Sequence, residues 1–326
     1  MKSYWMRNDA QTSVVELREV PQPEPGAGQV LIRVRSSGLN RGEFIPGHGL
    51  HGSSAEFKPV GNEAAGEVVK LGPGVTEVKV GDRVMGRSNG AFAEYALMDS
   101  REALRVPDNV SWEEAAAIPL AFMVVYDMLV MQGRMVAGEW LLVNGVSSGV
   151  GVAALQMAKA MGIKVVGTSG SAEKLERLRD LGLDAGICTR GADFGDEVLR
   201  VTEGHGADLA VNAVGGSVFN EAMRCLAYQG RLATVGYVDG VLKAELDIDD
   251  LHSRRLVVFG VSNKRRTFEQ RAPMIQGFVR DILPMFADGR IRPFVDKVYP
   301  FAEFPQAKDY MEANRHLGKI VVTIPG

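Results

Sequence analysis

The chain has 326 residues, enough for two domains that each bury a hydrophobic core, and it is 46% hydrophobic and 24% charged. Its formal net charge of −3 gives no general attraction to nucleic acid or acidic membranes. The two cysteines, Cys188 and Cys225, are not in a paired pattern, which is typical of a reducing compartment. Residues 1–7 lack an apolar signal-peptide segment. We therefore expect a cytoplasmic protein with no nucleic-acid or membrane partner.

Short alternating strands separated by glycine and proline turns fill residues 1 to about 110. The runs 30–35 and 66–71 have the period of strands, and the turn Gly72-Pro73-Gly74 follows the second of them. Another tight turn, Gly81-Asp82, precedes a further strand-like run. This pattern predicts an all-β domain of the barrel type.

The pattern changes at Ser111, which forms a capping-box spacing with Glu114 and so predicts the start of a long apolar helix. The apolar stretch 115–131 is interrupted by polar residues and by Pro119, so it predicts a buried helix rather than a membrane span. Strand-like and helix-like runs then alternate to about residue 260, which indicates an α/β domain. Later runs predict helices at 274–287 and 305–314 and strands at 209–214, 232–235, 298–301 and 319–324.

The most informative run is 143–151, which reads Val-Asn-Gly-Val-Ser-Ser-Gly-Val-Gly. A strand-like run at 140–143 leads into it, a helical pattern at 152–161 follows, and another strand-like run covers 164–168. This order is that of the opening unit of a dinucleotide-binding sheet. Small residues let the backbone approach a pyrophosphate, and the first N–H groups of the helix point at the anion. The run therefore predicts a bound nicotinamide cofactor.

The match to the dinucleotide fingerprint is partial. When the pattern is aligned on Gly151, Val146 and Ser148 occupy the first two glycine positions. Ser148 could donate its hydroxyl to a phosphate, although its Cβ hinders the approach of the backbone. A tight strand-to-helix turn with no ligand would use similar residues, and that alternative stays open at this point.

The end of the second strand indicates which cofactor is bound. An NAD enzyme carries an acidic residue there to bind the ribose 2′-OH, but residues 167–174 read Gly-Thr-Ser-Gly-Ser-Ala-Glu-Lys, with no carboxylate at the strand tip. Hydroxyls and a lysine suit a 2′-phosphate, which needs donors. The alternative is that Ser171 only caps a helix and Lys174 is only solvated. We expect NADPH rather than NADH.

Several short runs along the whole chain carry a family resemblance. They are Gly-Leu-Asn at 38–40, Pro-Val-Gly-Asn-Glu-Ala-Ala-Gly at 59–66, Val-Lys-Val-Gly-Asp-Arg-Val at 78–84, Gly-Ala-Phe-Ala-Glu-Tyr at 90–95, Glu-Ala-Ala-Ala-Ile-Pro-Leu at 114–120, the glycine turn, Gly215-Gly216 and His-Leu-Gly-Lys-Ile-Val at 316–321. In this order they resemble the medium-chain dehydrogenases/reductases, and among them the zinc-independent branch of NADPH:quinone oxidoreductases.

The resemblance implies an α/β protein with two domains. A GroES-like β-barrel domain would cover residues 1–120 and 262–326, and a doubly wound Rossmann domain with a parallel sheet would cover residues 121–261. The active site would lie in the cleft between them, at the carboxyl ends of the sheet strands. The family also implies a homodimer formed through the edge of the cofactor-domain sheet. The apolar strand-like runs near 232–241 and 256–261 would expose an edge that pairs unspecifically with other chains if no second copy covered it.

The zinc-dependent branch of the family holds its catalytic metal with a cysteine after the first barrel strand and with a Gly-His-Glu run. The matching positions here are Asn40 and Gly61-Asn62-Glu63, and a neutral carboxamide is a poor zinc ligand. No cysteine precedes Cys188, so the four-cysteine structural zinc lobe is also missing. We expect an enzyme that works without metal.

The resemblance places Asn40 at the nicotinamide end of the site, where it is a candidate catalytic and cofactor-binding residue. Asn40 as a plain turn residue is the alternative. His51 is a candidate proton donor near the place of a tyrosine in related enoyl reductases, and water is the alternative donor. Val124 stands where relatives often have threonine, and Arg190 could take over the role of a tyrosine that relatives carry at the position of Thr189. The predicted cofactor-binding residues are Asn40, Val124, Ser147, Ser148, Gly149, Val150, Gly151, Ser169, Ser171, Lys174, Arg190, Asn212, Val214, Gly236, Tyr237 and Lys319.

A simple ketone is a hard substrate without a metal to polarise its oxygen, whereas a conjugated acceptor delocalises the charge that arrives with a hydride. The leading interpretation is an NADPH-dependent reductase of quinones. The first alternative is a reductase of the carbon–carbon double bond of enones, enals or enoyl thioesters, because the run 61–63 resembles the enoyl-reductase version of its motif. The second is a non-catalytic cofactor-binding protein. The basic run 264–266 could line a channel for a thioester or be a solvated turn.

Overall fold

The computed structural model describes residues 1–8, 13–44 and 56–325. The chain forms two compact units, one of Met1–Ala121 with Phe286–Gly326 and the other of Phe122–Met285. The strands are β1 (Lys2–Asn8), β2 (Ser13–Glu19), β3 (Gln29–Gly38), β4 (Lys58–Pro59), β5 (Glu63–Leu71), β6 (Arg83–Arg87), β7 (Tyr95–Asp99), β8 (Leu104–Arg105), β9 (Trp140–Asn144), β10 (Lys164–Ser169), β11 (Ala185–Cys188), β12 (Ala207–Asn212), β13 (Leu226–Thr234), β14 (Val257–Gly260), β15 (Val295–Pro300) and β16 (Lys319–Thr323).

The helices are α1 (Arg41–Phe44), α2 (Trp112–Ala116), α3 (Pro119–Tyr126), α4 (Gly149–Ala160), α5 (Ala172–Arg179), α6 (Gly195–Val201), α7 (Phe219–Arg224), α8 (Ile248–Ser253), α9 (Phe268–Asp281), α10 (Leu283–Ala287) and α11 (Phe304–Glu312). A π-helical turn, Asp127–Gln132, continues α3.

The first unit is built around β3, whose inward residues Val30, Ile32 and Val34 are fully buried. Among the described residues, its larger sheet runs in the order β15-β16-β3-β5-β6-β8, with β7 also paired to β3, and a smaller sheet runs β2-β1-β4. The last strand of the chain, β16, pairs antiparallel with β3. The C-terminal segment therefore completes the same core as the N-terminal strands, as the predicted barrel domain requires.

The second unit, described over its whole length, contains a six-stranded parallel sheet in the order β11-β10-β9-β12-β13-β14. The chain starts in the middle of this sheet, moves outward to β11 and then returns to the other side of β9. The strand order therefore reverses between β9 and β12, where open α/β sheets bind their ligands at the carboxyl ends of the strands. This confirms the predicted doubly wound, parallel α/β fold.

The predicted long helix after Ser111 is divided. The capping box of Ser111 and Glu114 is present, but α2 ends after one turn and α3 starts anew at Pro119. Proline has no N–H to continue a helical ladder and is favourable at the first position of a helix, so the break falls where its chemistry requires it. The apolar residues are buried as predicted, in two helices and a π-helical turn rather than in one helix.

The predicted helix at 274–287 starts earlier, at Phe268, because Thr267 and Gln270 form a capping box that the prediction missed. Helix α9 then packs inside the second unit, where the hydroxyl of Tyr126 donates to Asp281 Oδ2 at 2.6 Å. The compact unit accordingly continues to Met285, whereas the predicted Rossmann domain stops at residue 261.

Both cysteines are free thiols; Cys188 is exposed and Cys225 is buried. Among the described residues, no helix has the length and apolar character needed to cross a membrane.

Candidate functional site

The glycine turn lies at the carboxyl end of β9, beside the point of strand reversal. Ser148 caps α4, with its Oγ accepting from the N–H of Gly151 at 3.0 Å. A Cβ on Gly151 would lie 2.5 Å from the carbonyl oxygen of Gly145 and 2.7 Å from the backbone of Val146. The first turn of α4 therefore packs directly on the strand-to-helix loop, a contact that only glycine allows.

The first turn of α4, the predicted binding site for the pyrophosphate, has backbone N–H groups that can donate to an anion. The N–H groups of Gly151 and Val152 bond to Ser148, whereas no described residue accepts from the N–H groups of Gly149 and Val150. These two amides point out of the positive end of a 12-residue helix, which is a favourable place for a pyrophosphate. Ser148 itself acts as the helix cap, so its hydroxyl is already bonded as an acceptor.

The tip of β10 carries hydroxyl groups and no carboxylate. Ser169 and Ser147 share a hydrogen bond of 3.1 Å between their Oγ atoms, and Ser171 caps α5 by accepting from the N–H of Lys174 at 3.3 Å. The prediction that Ser171 could be a helix cap is thus correct. Its oxygen is used as an acceptor, so Ser171 could bind a phosphate only by donating its hydroxyl proton. The neighbouring acidic residue, Glu173, is exposed in the first turn of α5.

Arg190 lies across this tip. A Cβ on Gly170 would come within 2.7–2.8 Å of the Cγ, Nε and Cζ atoms of Arg190, so the arginine side chain runs directly over the glycine. The N–H of Thr189 donates to the carbonyl of Ser169 at 3.0 Å, which extends β11 and fixes where Arg190 emerges. Its exposed guanidinium forms no ion pair with any described residue. The structure thus brings a cation to the strand tip where an NAD enzyme would carry an acid.

The loops after β12 and β13 form the other side of the crevice. Asn212 shapes the first loop: its Oδ1 accepts from the N–H groups of Val214 and Gly215 at 3.0 Å, and its Nδ2 donates to the carbonyl of Gly215 at 2.8 Å. Gly236 and Tyr237 follow β13, and the loops line one cavity with Asn212. The Asn212 amide therefore holds the loop in shape, and one N–H remains for a ligand.

Val124 is half-buried in α3 while its neighbours Met123 and Val125 are buried. It is thus the residue of this turn that reaches the surface of the second unit. Its predicted contact with the nicotinamide stays a prediction.

Asn40 belongs to a buried polar cluster in the first unit. Its Nδ2 donates to Glu43 Oε1 at 3.0 Å and to Glu63 Oε1 at 2.9 Å, and its Oδ1 accepts from Lys319 Nζ at 2.9 Å. Both N–H directions of the amide therefore point at carboxyl oxygens. An oxyanion bound by Asn40 would have to replace one of these bonds.

Lys319 comes from the last strand and is almost fully buried. Its ammonium donates to Glu63 Oε1 at 2.6 Å, to Asn40 Oδ1 at 2.9 Å and to the carbonyl of Leu39 at 2.9 Å. Three bonds use its three N–H groups, so the predicted contact of Lys319 with the cofactor would need one of them to break. The other oxygen of Glu63 accepts from the N–H of Leu120 at 2.8 Å and so caps the start of α3.

Glu43 completes the cluster, and its place there was not predicted from the sequence. Burial raises the pKa of Glu43 from 4.5 to about 8; the nearby Glu63 carboxylate adds to the rise, while Asn40, Lys319 and Asn62 oppose it. The acid is therefore neutral at pH 7. The available signal was the spacing of three residues from Asn40 to Glu43, which one helical turn brings together.

These side chains do not fit a zinc ion. The positions of zinc ligands in the metal-dependent branch hold two neutral amides, Asn40 and Asn62, and the ammonium of Lys319 lies beside Asn40 and Glu63. A divalent cation would be repelled by that ammonium. Among the described residues, no group of three or more histidine, cysteine or acidic side chains has the arrangement of a metal site. His51, the candidate proton donor, lies outside the described residues, as does His48.

Comparison with known proteins agrees with this architecture. The family model described as the alcohol dehydrogenase GroES-like domain matches residues 26–108, and the one described as zinc-binding dehydrogenase matches residues 149–277. A mycobacterial protein solved in complex with NADPH has the same fold with a TM-score of 0.88, 26% identity and 99% of each chain covered. The chain belongs to the medium-chain dehydrogenase/reductase superfamily.

Two further relatives extend the comparison. A quinone oxidoreductase from Pseudomonas syringae pv. Tomato superposes with a TM-score of 0.86 at 26% identity, covering 99% of this chain and 100% of the other. A highly reducing polyketide synthase from Glarea lozoyensis is 30% identical over 316 residues, which is 95% of this chain and 12% of the synthase. The chain spans 15% or less of the length of the polyketide synthases that it matches.

Proposed function

We propose that this superfamily member is an NADPH-dependent oxidoreductase that reduces a quinone without a metal. The bound nicotinamide supplies the hydride. In the balanced reaction, the quinone would take up this hydride and one proton, from His51 or from water, to become a hydroquinone, with NADP⁺ as the other product. The protein would contribute binding, orientation and hydrogen bonding.

The preference for NADPH rests on the tip of β10. Arg190 lies there against Gly170, residues 167–172 contain no carboxylate, and Ser169 adds a hydroxyl. A guanidinium favours a 2′-phosphate over a 2′-hydroxyl by charge and by geometry. The superfamily relative that was solved with NADPH supports the same choice.

The remaining contacts follow from the same crevice. The amides of Gly149 and Val150 would hold the pyrophosphate at the start of α4. Val124 and the loop of Gly236 and Tyr237 would flank the nicotinamide, and Asn40 is a further candidate contact. The role of Asn40 rests on the family resemblance, and His51 or water would supply the proton.

Quinones are the first choice of acceptor because of the likeness to the Pseudomonas quinone oxidoreductase over the whole chain. The second candidate is reduction of the carbon–carbon double bond of an enoyl thioester. It is favoured by the likeness to a highly reducing polyketide synthase and by the Gly61-Asn62-Glu63 run. Both acceptors are conjugated carbonyl compounds, so the same hydride donor serves either.

One assay series tests these alternatives. The absorbance of NADPH is followed with a quinone, a neutral enone and an enoyl thioester, each before and after treatment with a strong chelator. We expect the quinone to be reduced fastest and the chelator to change nothing. Faster reduction of the thioester would favour the second candidate, and loss of activity restored by zinc would contradict metal independence. NADPH binding without turnover of any acceptor would indicate a non-catalytic cofactor-binding protein.

We also propose a homodimer formed through β14. This strand is the edge of the parallel sheet, and its residues Val257 and Val258 are 49% and 40% exposed. Leu242 and Ile248, in the segment before it, are 71% and 66% exposed. An exposed edge strand with apolar neighbours is a template for pairing with a second copy.

A further inference from the structure

The buried polar cluster of the first unit contains one more acid than base. Its ionisable members are the carboxyl groups of Glu43 and Glu63 and the ammonium of Lys319. Glu43 and Glu63 are fully buried, and Lys319 is 5% exposed. One ammonium balances one carboxylate, and an unpaired charge in a dry interior is costly. The cluster is therefore neutral only when one of the two carboxyl groups holds a proton.

The contacts assign this proton to Glu43. Glu63 Oε1 accepts from Lys319 at 2.6 Å and from Asn40 at 2.9 Å, and its Oε2 accepts from the N–H of Leu120 at 2.8 Å. Both oxygens of Glu63 thus have donors, as an ionised carboxylate needs. Glu43 Oε1 accepts from Asn40 at 3.0 Å, whereas its buried Oε2 has no hydrogen-bond partner among the described residues. Burial accordingly raises the pKa of Glu43 from 4.5 to about 8.

Two charged side chains act on Glu43 at close range. Glu63 on β5 raises the pKa of Glu43 and Lys319 on β16 lowers it. Arg41, on the same helix α1, instead donates to the carbonyl of Met311 at 2.6 Å. The proton on Glu43 Oε2 also lacks an acceptor that would stabilise it. One further positive charge beside the cluster would therefore favour loss of this proton.

We propose that Glu43 is a proton store that responds to the oxidation state of the nicotinamide: it keeps its proton beside NADPH and releases it to water beside NADP⁺. The inference rests on the proposed contact of Asn40 with the cofactor, because Asn40 bonds directly to Glu43. The oxidised nicotinamide ring carries a positive charge that the reduced ring lacks. In the release, the O–H bond at Glu43 Oε2 breaks, the proton goes to water and no electrons move. The cluster then has one net negative charge, from two carboxylates and one ammonium.

The released proton matches the needs of the proposed reaction. Quinone reduction consumes one proton for each hydride, and Glu43 would release a proton when the oxidised cofactor forms. Water returns a proton to Glu43 when NADP⁺ leaves, so the protein ends each cycle unchanged. Glu43 acts through Asn40 and through its charge, and the direct proton donor is still His51 or water.

Proton release on cofactor binding tests the proposal without any turnover. Binding of NADP⁺ and of NADPH is measured by calorimetry at about pH 7.5 in buffers with different heats of ionisation, which gives the number of protons released. A nearby positive charge lowers the pKa of an acid by about one to two, so NADP⁺ should release about half a proton or more from a group whose pKa is about 8. NADPH should release none from Glu43.

The pH dependence of cofactor affinity gives a second readout. A ligand that releases a proton binds more tightly as pH rises, so the affinity for NADP⁺ relative to NADPH should increase about tenfold or more between about pH 6 and about pH 9. Both cofactors carry the 2′-phosphate, whose own second pKa is about 6, so the ratio of the two affinities cancels its titration.

Glu43→Gln keeps the shape of the neutral acid and removes its titratable proton. This variant should abolish the difference between NADP⁺ and NADPH in proton release and in pH dependence, which a merely structural role of Glu43 would leave in place. Glu102→Gln is the matched control, because Glu102 is 3% exposed in the same unit and forms none of the hydrogen bonds of the cluster. It should release protons as the wild type does.

The outcomes separate this inference from the proposed reaction. Equal proton release with both cofactors in the wild type would overturn the proton store and leave quinone reduction intact. A difference that survives Glu43→Gln would overturn it as well, because another group would then release the proton. A release that depends on Glu43 while no acceptor is reduced would support the proton store, and the proposed reaction alone would be wrong.

Discussion

The ammonium of Lys319 lies 2.6 Å from Oε1 of Glu63, and the two side chains are 6% and 0% exposed. The pair joins the last strand of the chain to β5, which is separated from it by more than 250 residues of sequence. Breaking a buried pair by removing one partner leaves an uncompensated charge, which typically costs about 3–5 kcal/mol. Lys319→Met should therefore lower the free energy of unfolding by about that amount, measured by urea denaturation.

The double variant Lys319→Met with Glu63→Gln should lose less free energy of unfolding than the sum of the losses in the two single variants. The second change removes the Glu63 charge that the first change leaves unpaired. Lys159→Met is the matched control, since its pair with Asp184 is about one-third exposed on each side. It should cost less than about 1 kcal/mol. Additive losses in the buried pair would show that Lys319 and Glu63 do not compensate each other.

Stability should depend on pH through Glu43, whose pKa is raised by burial from 4.5 to about 8. Below pH 4.5 the acid is protonated in the folded and the unfolded chain alike. Between pH 4.5 and 8 the unfolded chain releases this proton and the folded chain keeps it, so the free energy of unfolding falls as pH rises, by about 1.4 kcal/mol per unit at most. Glu43→Gln should flatten this decline. Parallel curves for wild type and variant would contradict a neutral Glu43.

Cofactor preference should depend on Arg190 and on the glycine beneath it. Arg190→Ala should weaken NADPH by about tenfold or more and leave NADH unchanged, because one charge-assisted bond to the 2′-phosphate is removed. Gly170→Ala should have the same effect, since the added Cβ would lie 2.7 Å from Arg190 Cγ and displace the side chain. Lys174→Ala should also weaken NADPH selectively. Calorimetric titration of both cofactors measures this, with Arg134→Ala as the control; equal affinities of the wild type would refute the preference.

Asn40→Ala should separate the possible roles of this residue. The N–H groups of Asn40 already bond Glu43 and Glu63, so an oxyanion would have to replace one of these bonds, and we expect Asn40 to act on the cofactor instead. The variant should therefore bind NADPH more weakly, with turnover lowered about tenfold to a thousandfold and not abolished. Single-turnover rates for a quinone and an enone, together with cofactor titration, distinguish the cases. A fall in turnover at full NADPH affinity would instead assign Asn40 to the oxyanion. No change in either would make it a turn residue.

Val258→Lys in β14 should give a monomer at micromolar concentration, because a charge on an edge strand opposes pairing with a second copy. Val298→Lys is the control; Val298 is 43% exposed in β15, an edge strand of the other unit. Light scattering measures both. A wild-type monomer, or a dimer that survives Val258→Lys, would show that β14 is not the contact.

The sequence was enough to predict the parts of the molecule that local chemistry controls. Periodicity and glycine placement predicted β9, α4 and β10 in order, because each is specified by its own residues. The break at Pro119 and the early start of α9 at Thr267 were missed, although both have local signals. The choice of family depended on the order of several short runs rather than on any one of them.

The cluster of Asn40, Glu43, Glu63 and Lys319 could not be predicted as a unit. Asn40 and Glu43 lie within one turn of chain, but Glu63 comes from β5 and Lys319 from β16, and only the pairing of β16 with β3 and of β3 with β5 brings these three segments together. For this reason Lys319 was assigned to the cofactor and Glu43 was not considered. The roles of Ser148 and Asn212 as internal hydrogen-bond partners also needed the backbone geometry, whereas the capping role of Ser171 was an alternative that the sequence already offered.

The buried ammonium of Lys319 also sets a limit for protein engineering. A designer who wished to build a zinc-dependent alcohol dehydrogenase from this chain would start by restoring cysteine and histidine at positions 40 and 62. The ligands would then face a fixed positive charge that Glu63 holds in place at 2.6 Å. Metal affinity would rise only after position 319 was made neutral as well. Converting this protein into a metalloenzyme would therefore require a substitution in β16, the last strand of the chain, as well as new metal ligands.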